Sequence, residues 1–412
     1  MAGPLQGLRV IDLSRVLAGP LCAKTLTDLG ADVIKIEPPR ADVSRFSAPT
    51  NPNGVSGYYA QQNSGKRNIS LDLNLAEGRE LAMRLCETAD IIVENFRPGT
   101  LGFFGLDYAR VAARNPKVIY VSISGYGQGG PWASRMAYAA TVQAEIGFTA
   151  HTKRHFGDDL KADRTDSLSH ADVYTGLQAA IGVLAALNRL HSTGKGQHID
   201  VSMAATIMSI NEHAHVDLSD LDSGDEFPIL GATDGVFFNG PGGERFISAI
   251  SLINNITFRF YMAAMRRPDL IDDPRFSSAA ARREHLTELH ALVQSWMLTF
   301  QDMASLDAQL DEAKIAIGEM RSLQDVADTE WASYWGAVDE VSDRNGGTFH
   351  LPGRPWHFSD NELDPPGDPA IQGEHNHSIC AELGMSEAQI DAYTSSKVLV
   401  GNFASQIIKM IS

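Results

Sequence analysis

Along the first 130 positions, short β-branched runs alternate with stretches in which apolar residues return every three or four. Leu8-Arg9-Val10-Ile11-Asp12-Leu13 predicts a strand, and Pro20 opens a helix that ends near Gly30. Asp32 to Glu37 predicts a second strand. Leu75 to Ala89 predicts a helix, followed by the strand Ile91-Ile92-Val93. A helix near Tyr108–Arg114 then leads into the strand Val118 to Ile123. Strands joined through helices by such short connections imply right-handed βαβ units and a mostly parallel sheet.

A second signal begins at Asp172. Val173, Leu177, Ala180, Ile181, Leu184 and Leu187 recur at helical spacing, and the helix is expected to stop at His191-Ser192-Thr193-Gly194. Gln197 to Ser202 predicts another strand, with a helix from Met203 onward. Beyond about residue 216 the pattern changes. Asp217 to Glu226 is an acidic linker in this reading. From about Thr233 to Leu323 the chain is expected to be mainly helical, with a strand near Phe246–Ile250 and long helices around 254–266 and 278–299. The tail carries Pro and Gly, then a helix near Ser386–Ser395. The expected division is a large domain over 1–215, a small domain with its linker over 216–330, and a return to the large domain over 331–412.

The 412 residues carry 34 Lys and Arg against 51 Asp and Glu, a net charge of −17, which argues against nucleic acid or an anionic membrane as the partner. An anionic small ligand remains compatible wherever basic residues gather locally. Cys22, Cys86 and Cys380 are too scattered for a disulfide framework or a thiolate metal site. The histidine pairs His213/His215 and His375/His377 lack a third ligand nearby, so no metal is expected. The longest apolar run, Leu177 to Leu187, is too short to span a bilayer. With no secretory leader expected, the reading is a soluble protein of the reducing cytoplasm.

In an open parallel sheet, ligands bind beyond the carboxyl ends of the strands. The loops there hold Arg15, Arg40, Arg97 and the glycines of Gly125-Tyr126-Gly127-Gln128-Gly129-Gly130. Arginine gathered at that edge of an acidic chain fits a phosphate-bearing ligand. The dinucleotide fingerprint, the P-loop and the nucleophile elbow are all absent from these loops. Asp172 has two readings: an N-cap of the apolar helix, or an enclosed carboxylate kept ionised by backbone amides and able to attack an activated acyl group. Composition and spacing do not choose between them.

Eight segments together resemble the family III CoA-transferases: GLRVIDLSRVLAGP at 7–20, LGADVIKIEPP at 29–39, NSGKRNISLDL at 63–73, ADIIVENFRPG at 89–99, SGYGQGGP at 124–131, ADVYTGLQAAIGVLAAL at 171–187, TGKGQHIDVSM at 193–203 and GEHNHSICAELG at 373–384. The resemblance implies an α/β protein with a Rossmann-like large domain and a smaller second domain, assembled as an interlinked homodimer. It implies coenzyme A as the acyl carrier and a carboxylate as acceptor. Asp172 matches the family's nucleophile, which forms an acyl anhydride and then an aspartyl-CoA thioester. Arg15, Ala18, Leu71, Asn95 and Phe96 would line the CoA path, with Arg40 and Arg97 as phosphate contacts. Gly127, Gly129 and Tyr138 would form the substrate loop.

The chain departs from the family's pattern at several positions. Phe103, Met136 and Pro38 stand where basic residues are common; Arg40, Arg97 and Arg135 are the candidates to compensate. The racemase branch of the family needs a His-Asp unit where this chain has Tyr138-Ala139, and a second-domain Glu that Ile250–Ile256 does not contain. Transfer is therefore favoured over racemisation or a non-catalytic CoA-binding role. Formyl-CoA transferase carries a glutamate at the position of Ala139, so oxalate or formate specificity is not expected from the sequence.

Overall fold

Arg9–Asp12 (β1), Asp32–Glu37 (β2), Arg67–Ser70 (β3), Ile91–Glu94 (β4), Ile119–Ser124 (β5) and Gln197–Ser202 (β6) pair side by side in the computed structural model, all in parallel. Their order is β3-β2-β1-β4-β5-β6. Alternation sorts the side chains onto two faces. Val10, Ile91, Val93, Ile119, Val121 and Ile123 pack against residues of helices Ala18–Asp28 and His170–Thr193. Ile11, Ile34, Ile92 and Tyr120 pack against helices Ala76–Glu87 and Tyr108–Arg114. Each buried aliphatic side chain contributes roughly 1.5–3 kcal/mol. The expected α/β architecture with a parallel sheet and smaller additional elements is what the chain adopts.

The residues described are 3–150, 152, 168–212, 214–219, 236–360 and 362–411. His213 and most of the acidic linker lie outside them. The chain divides into two units, Met1–Asn211 with Trp331–Ser412, and Glu212–Glu330. In the first unit, Ile379, Cys380, Met385, Ile390 and Leu399 return to the core beside β3. A hairpin, Val338–Ser342 with Thr348–Pro352, precedes that return. In the second unit, Val236–Asn239, Arg245–Ser248 and Ile317–Glu319 form a three-stranded antiparallel sheet. Phe238, Phe246, Phe258, Tyr261 and Leu289 are buried there. A single strand was expected in that stretch. The two flanking strands are four and three residues long, too short to show alternation. The long helix expected over 278–299 is broken at His285 into Ala279–Glu284 and Leu286–Met297. Among the described residues no helix is long and apolar enough to cross a membrane.

Candidate active site

The strand order reverses between β1 and β4, the place where ligands bind in open parallel sheets. The loop after β1 is fixed by an unusual density of buried polar contacts. Asn95, just past β4, accepts the N–H of Arg15 and donates to its carbonyl, each at 2.8 Å. Lys35, in the middle of β2, donates to the Ser14 carbonyl at 2.9 Å and pairs with Asp42 at 3.1 Å. Asp42 in turn accepts the N–H of Val16, whose φ of 65° is unfavourable for a β-branched residue. Asp42 is held down at about 2 although burial pushes it up, because Lys35 and the Ser44 N–H stabilise its charge. Lys66 donates to Asp12 at 2.9 Å and to the Pro20 carbonyl at 2.8 Å. All four charged groups are almost fully enclosed.

This scaffold presents the amino end of helix Ala18–Asp28, where Leu17 provides no side-chain cap. Asp172 lies near this end, close enough for the Ala18 N–H to help hold its carboxyl down. Asp172 is not the N-cap of its own helix, which starts earlier, with Ser169 at the N-cap and Asp172 in the first turn. The extra residues are held because Gln143 accepts the Ala171 N–H at 3.2 Å and the His170 ring stacks on Tyr174. Burial dominates the electrostatics of Asp172. It raises the carboxyl to about 6, and the Ala18 N–H offsets only part of that. Backbone amides therefore do not keep it as acidic as the sequence suggested. Tyr58 lies close enough for the Asp172 charge to help raise its phenol. The two helices approach this closely because residue 176 is glycine: a Cβ there would lie 2.6 Å from the Ala18 carbonyl.

Arg15 and Arg40 line one cleft of about 480 Å³ with Pro38, Pro39, Val43, Phe46, Asp72 and Asn74. Among the described residues neither guanidinium is paired with a carboxylate, and Nε of Arg15 is buried without a partner. Arg97 turns elsewhere, donating to the Ser134 carbonyl at 2.6 Å. Arg135 is engaged by Glu145 and lies over Trp132 and Tyr126. Leu71 is fully buried in the core, so contact with a ligand in the cleft would have to come from its backbone. Phe103 and Met136 are strongly exposed.

The glycine-rich segment is a loop, pinned where the Gly127 N–H meets Ser124 Oγ at 3.0 Å and the Gln128 N–H meets Asp200 at 2.8 Å. Gly127 has a φ of 92°, and Gly129 has open space around it. Tyr138 is exposed at the start of helix Ala139–Glu145. Ala139 shares an apolar cluster with Ala171, next to Asp172.

Residues 5–376 match the family model described as CoA-transferase family III. The chain belongs to that family. It is therefore a CoA-transferase, as the eight motifs indicated, and family membership implies CoA as substrate. It is 30% identical to formyl-CoA:oxalate CoA-transferase of Streptomyces avermitilis, over 97% of this chain and 100% of that protein. The protein of the same name from Escherichia coli O157:H7 is 31% identical over 95% and 98%. Among solved structures, a CaiB/BaiF family protein from Brucella suis superposes with a TM-score of 0.77 at 31% identity, covering 93% of this chain and all of that one. Rv3272 from Mycobacterium tuberculosis does so at 0.73 and 26%, covering 91% and 98%.

Of the residues singled out from the sequence, Arg15 and Asn95 of this transferase are joined by two hydrogen bonds, and Ala18, three positions after Arg15, lies near Asp172. Tyr58, Lys35, Asp42 and Lys66 were missed. The lysines left one trace: a charge inside the β-branched run Val33-Ile34-Lys35-Ile36 has to be buried with a partner.

Proposed function

We propose that the enzyme moves CoA between organic acids through Asp172. The observation that carries this is the partly buried Asp172 carboxylate near the amino end of helix Ala18–Asp28, which follows the loop whose Arg15 lines a cleft with Arg40. Ionised Asp172 attacks the thioester carbonyl of the donor, the C–S bond breaks, and CoA leaves as the thiolate. That thiolate attacks the aspartyl carbonyl of the resulting anhydride, releasing the donor acid and leaving an aspartyl-CoA thioester. An acceptor carboxylate repeats the sequence in reverse. In water a carboxylate is a weak nucleophile; a shielded site with a backbone donor for the developing oxyanion supplies the stabilisation. The Ala18 N–H, near the Asp172 carboxylate, is the candidate for that donor.

Arg15 and Arg40 are read as the partners of the CoA phosphates, with Asn95, Phe96 and Ala18 along the pantetheine path and Leu71 contributing backbone. Arg97 belongs with the substrate loop of Gly127, Gly129 and Tyr138. Although the relatives are named for formyl-CoA and oxalate, Ala139 adds no charge beside Asp172, and the acceptor is read more broadly as a carboxylic acid. The helix His170–Thr193 exposes Val173, Leu177, Ile181 and Leu184 as one stripe. That stripe supports the homodimer implied by the resemblance. The three free, buried cysteines are consistent with a cytoplasmic setting.

Trapping tests the reading. Acyl-CoA together with hydroxylamine or borohydride should modify Asp172, located by peptide mass spectrometry; bound CoA with no adduct on Asp172 would refute it. Deuterium appearing at Cα of a branched acyl-CoA without transfer would point to racemisation instead.

Two further outcomes are expected. The nucleophile must be ionised, so kcat/KM should fall as pH drops through about 6, where burial places Asp172, and not near the 3.8 of an ordinary aspartate. An acid limb centred near 4 would contradict the enclosed carboxylate. Arg40→Ala should weaken CoA binding about ten-fold at low salt, as expected for a lost charge-assisted contact. The loss should shrink at high salt, and titration of CoA against dephospho-CoA identifies which phosphate is involved.

A further inference from the structure

Glu94, the last residue of β4, is 5% exposed, and among the described residues no basic side chain pairs with it. Its Oε2 accepts the Phe96 N–H at 2.8 Å, so the carboxylate holds the backbone of the loop that follows its own strand. Ser122, its register partner on β5, lies close enough for the hydroxyl to help hold the carboxyl down, and is the neighbour through which a proton relay would run. Ser122 Oγ lies 2.9 Å from Nε2 of His198. His198 is on the edge strand β6 and exposed, with its ring stacked on Tyr108 at 5.0 Å and met edge-on by Tyr120 at 5.7 Å.

A hydroxyl has one proton to donate. When Glu94 is ionised, Ser122 donates to it and accepts from Nε2–H of His198. When Glu94 is protonated, the carboxyl donates to Ser122, and the hydroxyl turns to donate to Nε2, leaving the imidazole proton on Nδ1. The chain thus connects solvent to a buried acid and has two self-consistent directions that differ by one proton.

We propose that the Glu94–Ser122–His198 chain is a proton-sensitive positioning device for the Asn95–Phe96 loop, firm when Glu94 is ionised and slack when it is protonated. This rests on the reading of Asn95, Phe96 and Arg15 as CoA contacts. An ionised acceptor makes a hydrogen bond roughly twice as strong as a neutral one. Slack at Phe96 reaches the cleft because the adjacent Asn95 exchanges two hydrogen bonds with Arg15. The surroundings poise the change near neutrality. Burial raises Glu94 and Asp200 adds to it, while Ser122 and the Phe96 N–H pull back, leaving it at about 7. Tyr120 on β5, His198 and Asp200 on β6, and Tyr108 from its helix are the titratable groups around the chain. Ile11 of β1 and Leu13 just beyond it fill the same core without charge.

The test is CoA affinity against pH for the parent, Glu94→Gln and Ser122→Ala, all in an Asp172→Asn background so that neither turnover nor the catalytic carboxylate contributes. CoA phosphates titrate in the same range, so the quantity read is the ratio of each variant's Kd to the parent's, in which ligand protons cancel. Gln reproduces the hydrogen bonding of the neutral acid. Its ratio is expected to be about five at pH ~8.5 and to fall to about one by pH ~5.5. Ser122→Ala removes a bond that favours the ionised form, so its ratio should peak just above neutrality. A Glu94→Gln ratio that is constant across the range, at one or above it, overturns the proposal. If that variant does not fold, a flat Ser122→Ala ratio overturns it equally. A parent that binds no CoA at any pH would refute the CoA-site reading, and this proposal with it.

Discussion

Asp172→Asn is expected to lower transferase turnover by about three to four orders of magnitude, with the Kd for CoA within about three-fold of the parent. Asn keeps an oxygen near the Ala18 N–H and matches Asp in volume, so the helix amino terminus keeps a polar neighbour and the cleft with Arg15 and Arg40 is untouched. What is lost is the nucleophile. A variant retaining more than about a tenth of parental turnover would take Asp172 out of the chemistry. The same substitution should not lower stability at pH 8. Burial holds the folded-state carboxyl at about 6, above its ordinary 3.8, so the folded protein binds this proton more tightly than the unfolded chain. The ionised group therefore costs stability above about pH 6, and that cost fades as the pH falls toward 4. Melting temperatures of parent and variant, compared at both ends of this window, check the sign.

Arg45→Met should destabilise the large unit by about 3–5 kcal/mol. Arg45 is completely buried and grips both oxygens of Glu37, from Nε at 2.9 Å and from Nη2 at 2.8 Å. It also donates to the Gly54 carbonyl, the Tyr59 hydroxyl and the Ala370 carbonyl. Removing the guanidinium strands Glu37 as an enclosed charge, although Tyr59, Asn68 and the Asp42 N–H still donate to it. Glu37→Gln added to Arg45→Met should recover a large part of the loss, because the stranded charge is then gone. Urea unfolding of the two variants separates the cases. Equal stabilities would mean that the lost hydrogen bonds, and not the orphan charge, dominate.

Four of the six strands of the large sheet were legible because each carries a β-branched run that fills a two-sided core, and the edge strand β6 through its alternating Ile199 and Val201. β3 was not. Its sequence, Arg67-Asn68-Ile69-Ser70, is mostly polar. Arg67 bridges Asp32 and Glu382, while Asn68 reaches Glu37 and Gly373, partners up to 315 residues away that no local pattern reveals. The role proposed for Asp172 came only from the resemblance, since an aspartate at the start of an apolar helix looks the same whether it caps or reacts. Its placement also depends on Gly176 and on a helix amino terminus more than 150 positions earlier, and periodicity records neither. The buried lysines were missed for the same reason: Asp12 and Lys66 are 54 residues apart.

The contacts of Arg45 and Asn68 bear on how the protein is made. The large unit is interrupted by the small one, and Arg45 and β3 complete their bonding with late residues that include Ala370, Gly373 and Asn376. A nascent chain that has emerged as far as residue 211 holds all six strands of the sheet but lacks these last partners. Its β3 edge is then open and the backbone acceptor for Arg45 at Ala370 is missing. The small unit, continuous in the chain, is free to fold first on the ribosome. The large unit is expected to close only after the segment carrying Ala370 to Asn376 has been synthesised, which leaves an exposed sheet edge for chaperones to guard during translation.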